Sequence, residues 1–219
     1  MKLSVVIPFY NEENMIQKMY DELVKEINQI TKAEFEIIFI NDGSKDRTFE
    51  RMLAIAAGDS RVKYISFSRN FGKEAGTIAG LEYATGEAVI LMDGDLQHPP
   101  AMLPQMIEAY EQGYDVVSAR RTRTGEKRHR TFLAKHFYKL ANKMMDIELM
   151  DGVSEFRLFS RKVVNAIISM QEYNRFSKGI FAWIGFNEKV IEYENQVRTV
   201  GETKYSLKFS LNYAIQGIL

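Results

Sequence analysis

Cysteine is absent from all 219 residues, which excludes disulfides, thiolate metal sites and a cysteine nucleophile. Net charge is absent as well. Lys and Arg number 29, Asp and Glu 29, so there is no global electrostatic case for nucleic acid, and any attraction to phosphate or membrane must come from local clusters. No run reaches the roughly 18–20 consecutive apolar residues of a transmembrane helix. Nor does an apolar signal segment open the chain, which together with the missing cysteine points to the cytoplasm. Histidine is scarce: His98, His129 and His136 fall at no metal-ligand spacing and read as incidental. What is plentiful is apolar residues, 46% of the chain, enough to predict a single domain with a substantial core.

Those apolar residues are grouped. Short β-branched or aromatic runs at Leu3–Ile7, Phe35–Ile40, Val62–Phe67, Ala88–Met92 and Asp115–Ser118 read as strands. Helical spacing occupies 12–30, 46–57, 73–85 and 100–112, with Met15, Met19, Leu23 and Ile27 four residues apart in the first of them. Strict alternation of strand and helix predicts an α/β fold with a mainly parallel sheet covered on both faces. Further on, 131–145 reads as helix, Phe156–Phe159 as strand, 160–170 as helix and 188–193 as strand.

In such a sheet ligands bind beyond the carboxyl ends of the strands. The loops there are short and polar. Tyr10 offers a ring to stack on a base, Asp42 an acceptor for base N–H or ribose hydroxyl groups, Gly43 a close backbone approach, and Lys73 a charge for phosphate. Asn11 and Asp46 also suit helix N-caps. The sharpest element is Asp93-Gly94-Asp95, where a buried strand runs into two carboxylates and is then stopped by Pro99-Pro100. Oxygen ligands without His or Cys suit Mg²⁺ or Mn²⁺, which take one or two carboxylates and complete their shell with substrate phosphate and water.

Taken in order, "SVVIPFYNEE", "NDGSKDRT", "SRNFGKEAG", "LMDGDLQHPP", "VSEFRLFSRKVV", "NRFSKGIFAWIGF" and "VGETKYSLK" resemble glycosyltransferase family 2 with the GT-A fold. The resemblance extends over essentially the whole chain. It points to the branch that moves a sugar from a nucleotide diphosphate to a polyprenyl phosphate, with dolichol-phosphate mannose synthase and bacterial glucosyltransferases of the GtrB type. It implies that Pro8, Tyr10, Glu12 and Asp42 line the base and ribose pocket. Asp93 and Asp95 would form the metal motif, Asp95 the firmer ligand and Gln97 nearby. Glu155, where relatives carry Asp, would be the general base or the carboxylate that positions the acceptor, and Arg157 would assist the leaving group. UDP and glucose are the favoured donor parts, on likeness to the bacterial members. A polymer or protein acceptor, or a silent nucleotide-sugar-binding domain, remain the alternatives.

Residues 120–130, "RRTRTGEKRHR", hold six Arg or Lys against one Glu. The resemblance places the acceptor phosphate there, with Arg120 and Arg130 the best-matched positions and Arg198 and Lys204 further contacts. Such a cluster also attracts anionic headgroups, which sets the protein at the cytoplasmic membrane face. Trp183, Phe181 and Phe186 read as core or membrane-proximal packing. The catalytic domain is expected over 1–205. Over 206–219, Leu207, Leu211, Ile215 and Leu219 share one stripe of an amphipathic segment that either lies in the membrane interface or packs on the domain, and relatives continue from there into membrane helices.

Overall fold

A computed structural model describes residues 1–122, 153–170 and 177–194. The expected helix over 131–145 and the 206–219 segment lie outside the described residues. The elements in chain order are β1 (Lys2–Phe9), α1 (Ile16–Ile27), β2 (Glu34–Asn41), α2 (Thr48–Gly58), β3 (Val62–Ser66), α3 (Lys73–Tyr83), β4 (Ala88–Leu91), a 3₁₀ turn at Pro100–Met102, α4 (Leu103–Glu111), β5 (Val116–Arg121), β6 (Val153–Ser160), α5 (Arg161–Ser169), α6 (Ser177–Trp183) and β7 (Glu188–Tyr193).

The seven strands form one sheet in the order β3-β2-β1-β4-β6-β5-β7. Strands β1 to β4 pair in parallel, β6 is antiparallel to both β4 and β5, and β7 is parallel to β5. Six strands therefore point one way and β6 alone is reversed. The chain builds outward from β1 through β2 to β3, then crosses back to place β4 on the other side of β1. Such a reversal is where ligands of open α/β sheets bind, here beyond the carboxyl ends of β1 and β4.

Alternation along each strand divides the core in two. Leu3, Val5, Ile7 and Phe9 of β1 face Met19 and Leu23 of α1, Met52 of α2, and Leu103 and Met106 of α4. On the opposite face Val6, Ile38, Ile40, Val89 and Leu91 meet Leu81 of α3, Val163, Val164 and Ile167 of α5, and Phe181 of α6. The stripe expected on the first helix is observed, since Ile16, Met19, Leu23 and Ile27 are its buried residues. Pro100 opens the 3₁₀ turn that leads into α4, where a missing N–H costs nothing.

One polar cluster lies inside the second face. Glu36 of β2 is buried, and its carboxylate accepts from Ser4 Oγ (2.6 Å), Thr85 N (2.6 Å), Thr85 Oγ1 (2.9 Å) and Lys63 Nζ (2.8 Å). Lys2 adds an ion pair at 3.4 Å. Burial by itself would raise the Glu36 pKa, but the donors from Lys63, Ser4 and Thr85 outweigh it and hold it at about 2, against an ordinary 4.5. The ionised group thus ties β1, β2 and β3 to the end of α3. Because the folded pKa lies below the ordinary value, this stabilisation is complete above pH 4.5 and is lost as pH falls towards 2. Glu36→Gln is expected to lower the urea-unfolding free energy at pH 7 by about 1–3 kcal/mol. It should also flatten the dependence of stability on pH below 4.5; an unchanged acid profile would refute the role given to Glu36.

Candidate active site at the carboxyl ends of the strands

The loops that leave β1 and β2 are sewn together by side-chain to backbone bonds. Asn11, in a left-handed conformation (φ 51°), accepts from Lys45 N (2.8 Å), while its own N–H donates to Ser44 Oγ (3.0 Å). Glu12 N donates to Thr48 Oγ1 (2.8 Å), and Glu13 N to Asp46 Oδ2 (3.1 Å). Asp46 also accepts from Thr48 N at 3.0 Å in the turn that leads into α2, but the cap position is Arg47, with no side-chain cap bond, so the cap expected at Asp46 falls one residue later. Asn11 does not cap α1, whose formal cap is Met15 with no side-chain bond; its carbonyl oxygen is spent on the neighbouring loop. Tyr10 and Glu12 sit on this stitched rim, and Pro8 lies beneath Gly76 of α3.

Asp42 lies just beyond β2 and is buried. Its oxygens accept from Phe71 N (2.7 Å), Gly72 N (3.0 Å) and Asn70 Nδ2 (2.9 Å). Burial raises its pKa, and the two backbone N–H groups counter only part of that rise. The residue expected to read a nucleoside therefore also holds the loop that leads into α3. Gly43, at φ 64°, is required by the same loop and not by a ligand alone: a Cβ there would stand 2.2 Å from the Arg69 carbonyl carbon.

That loop delivers Lys73, the first residue of α3, to the acidic turn after β4. Lys73 Nζ lies 2.5 Å from Asp93 Oδ1 and 3.9 Å from Glu155 Oε2. Asp95 Oδ1 accepts from Gln97 N at 3.1 Å, and Leu96 between them takes φ 59°. Gly94 packs flat against Phe9, since a Cβ would meet its ring at 2.3 Å. Among the described residues no three His, Cys, Asp or Glu side chains gather around one point as a metal cage. What is present fits a hard cation: two carboxylates from one turn, one of them already holding a positive charge, with the remaining positions left to oxygen ligands from elsewhere.

Sequence reasoning missed His98. It is 6% exposed, stacks on Phe156 with centroids 5.5 Å apart, meets Tyr193 edge-on at 6.3 Å, and its Nδ1 accepts from Asp93 N at 3.4 Å. Burial lowers its pKa, against the pull of Asp93, so the ring is neutral with its proton on Nε2. It is the aromatic floor of the acidic turn. The available signal was its place directly after the acidic turn and before Pro99.

Glu155 and Arg157 share one face of β6, and the strand's reversed direction sets Glu155 at the rim and Arg157 about 7 Å deeper. Arg157 is 6% exposed, and Nη1 lies 3.3 Å from Glu188 Oε1. Its guanidinium also sits 5.1 Å over Phe181. The structure places it beneath Glu155 and not beside the acidic turn, and burial lowers its pKa while Glu188 and Glu155 support its charge. Arg120 pairs with Glu192 across β5 and β7. Arg130, Arg198 and Lys204 lie outside the described residues. Phe181 is core, whereas Trp183 is exposed. A cleft of about 650 Å³ opens at the opposite end of the sheet, among Thr85, Tyr110 and Asp115, far from these residues. Its Arg161 and Lys162 are engaged with Gly86 O and Asp115.

Residues 4–168 match the model of "Glycosyl transferase family 2". The chain belongs to that family. It is 49% identical over 217 residues to the Bacillus subtilis (strain 168) protein CsbB, covering 99% of this chain and 66% of that one. It is 43% identical to the "Prophage bactoprenol glucosyl transferase homolog" of Escherichia coli (strain K12), covering 100% of this chain and 71% of the relative. With the "Bactoprenol glucosyl transferase" of Shigella phage SfX the identity is 42%, at 100% and 72% coverage. The chain thus spans about two thirds of the length of these curated relatives. Among solved structures it resembles glucosyl-3-phosphoglycerate synthase from Mycobacterium tuberculosis in complex with Mn²⁺, UDP and phosphoglyceric acid (TM-score 0.67, 19% identity, 99% of this chain and 76% of that one). It also resembles a mannosyltransferase from Pyrobaculum calidifontis in complex with GDP-Man and Mn²⁺ (TM-score 0.60, 19% identity, 87% and 54%). The fold of this family 2 glycosyltransferase is GT-A.

In this glycosyltransferase Phe9 cannot give way to a side chain at position 94, because it is 2% exposed and set edge-on against Phe39. Gly94→Ala is therefore expected to destabilise the protein by about 1–3 kcal/mol in urea unfolding. An unchanged midpoint would show that the acidic turn is not held by Phe9.

Proposed function

We propose that the protein transfers a hexose, glucose being favoured, from a nucleotide diphosphate, UDP being favoured, to a polyprenyl phosphate at the cytoplasmic face of the membrane. The observation that carries this reading is the meeting of Asp93, Lys73 and Glu155, with Asp95 on the same turn, beyond the carboxyl ends of β1 and β4 in a family 2 fold. The acceptor is supported by the names of relatives more than 40% identical over the full chain.

Asp93 and Asp95 would hold Mg²⁺ or Mn²⁺, with Gln97 N fixing the orientation of Asp95. When bound, such an ion neutralises charge on the departing diphosphate. Tyr10 stacks on the base while Asp42 accepts from base or ribose, and Pro8 and Glu12 complete the pocket. Lys73 meets a phosphate oxygen. The acceptor oxygen attacks the anomeric carbon on the face opposite the diphosphate; the bond to the diphosphate oxygen breaks, its electron pair leaves with the nucleotide, and the configuration inverts. A phosphate monoester with a second pKa near 6 is mostly dianionic at neutral pH, so most acceptor molecules attack without losing a proton. Glu155 takes the proton from the monoanionic remainder and orients the rest. Arg157 beneath it keeps a positive potential behind that carboxylate. The basic residues at 120–130, together with Arg198 and Lys204, receive the acceptor phosphate and the anionic membrane surface.

Labelled UDP-glucose, Mn²⁺ and undecaprenyl phosphate are expected to give label in the organic phase. Label found only in polymer would redirect the acceptor, and nucleotide binding without any transfer would refute the enzyme reading. Asp95→Asn should abolish the Mn²⁺-dependent part of UDP binding in a calorimetric titration, and unchanged affinity would sink the metal placement.

A further inference from the structure

The acidic turn already carries a cation, and it belongs to the protein. Lys73 Nζ is in ion-pair contact with Asp93 and within 3.9 Å of Glu155. The two carboxylates come from different strands, β4's exit and β6, and the ammonium is what lets them approach. Its root is fixed: α3 starts at Lys73, and the preceding Gly72 and Phe71 hang on Asp42. Its head is not. A lysine side chain swings about four rotatable bonds, so the ammonium can leave Asp93 with no backbone shift and stay beside Glu155.

We propose that Lys73 is the resident counter-cation of the candidate metal site, and that a divalent ion binds Asp93 by displacing its ammonium. The inference rests on the metal reading given above and adds a competitor to it. Both cations want the same Asp93 carboxylate, so the ammonium lowers the apparent metal affinity of the nucleotide-free enzyme. It also keeps Asp93 and Glu155 from repelling each other until the metal arrives. Once displaced, Lys73 remains at the boundary between donor and acceptor, paired with Glu155 and available to a phosphate oxygen. Metal binding thereby also repositions Lys73.

The test titrates Mn²⁺ calorimetrically into the nucleotide-free wild-type protein, Lys73→Met and Lys73→Arg, with thermal melts of each in the absence and presence of Mn²⁺. Lys73→Met is expected to bind Mn²⁺ about two- to fivefold more tightly than wild type, the size expected for releasing a partly exposed ion pair. Lys73→Arg keeps the charge and should bind no more tightly than wild type. Without metal the Met variant should melt below wild type, and Mn²⁺ should raise its midpoint more than it raises that of wild type. A Met variant that binds Mn²⁺ no more tightly than wild type overturns the proposal, and so does the absence of measurable binding to either. The metal reading fails separately, by UDP binding to wild type that does not respond to Mn²⁺.

Discussion

Two carboxylates, Glu36 on β2 and Asp42 just beyond its end, hold α3 at both ends, and the geometry of the acidic site depends on that grip. Glu36 binds Thr85 just past the helix, and Asp42 binds Phe71 and Gly72 just before it. Six strand residues span about 20 Å, and the eleven residues of α3 about 16 Å, so the helix fits between its two anchors. Lys73 is therefore presented to Asp93 from a fixed root. The face of β2 that bears Glu36 carries Ile38 and Ile40 between the anchors, which pack against α3 and Leu81 and exclude water from the span.

Charge at the rim and in the strands beneath it is balanced locally, in a chain whose total is neutral. Asp93 and Glu155 share Lys73, Arg157 shares Glu188 with the Ser118 hydroxyl, and Arg120 shares Glu192. Neutral His98 lies under the acidic turn as an aromatic surface and a hydrogen-bond acceptor. Such a site is poised for a ligand that brings its own anionic oxygens together with a cation, the chemistry of a nucleotide diphosphate. Membership of family 2 agrees with that electrostatic character.

The strands, helices α1 to α5 and the acidic turn were legible in the sequence because each depends on neighbours close along the chain: β-branched or aromatic runs, the stripe of α1, a carboxylate pair ending a buried segment. Four features were not. The reversal of β6 leaves no mark, since an apolar run reads the same in either direction. The clamp by Asp42 is made to backbone N–H groups 29 and 30 residues away, which no side-chain pattern announces. His98 was set aside because its spacing suits no metal, a criterion that misses a ring used as packing surface. The inward turn of Arg157 follows from Glu188, a partner 31 residues on.

The reversal of β6 has a bearing on how this architecture diversifies. Because β5 ends and β6 begins at the same rim, where Arg120 pairs with Val153, the chain between Thr122 and Val153 starts and finishes at the edge where Lys73 meets Asp93 and Glu155. Strands β1 to β4, with Asp42 and Asp93 just beyond the exits of β2 and β4, all precede that segment in the chain. Exchanging the segment between Thr122 and Val153 for one of another length would therefore leave the pairings among β1 to β4 in place, so this architecture tolerates change there without rebuilding its first half.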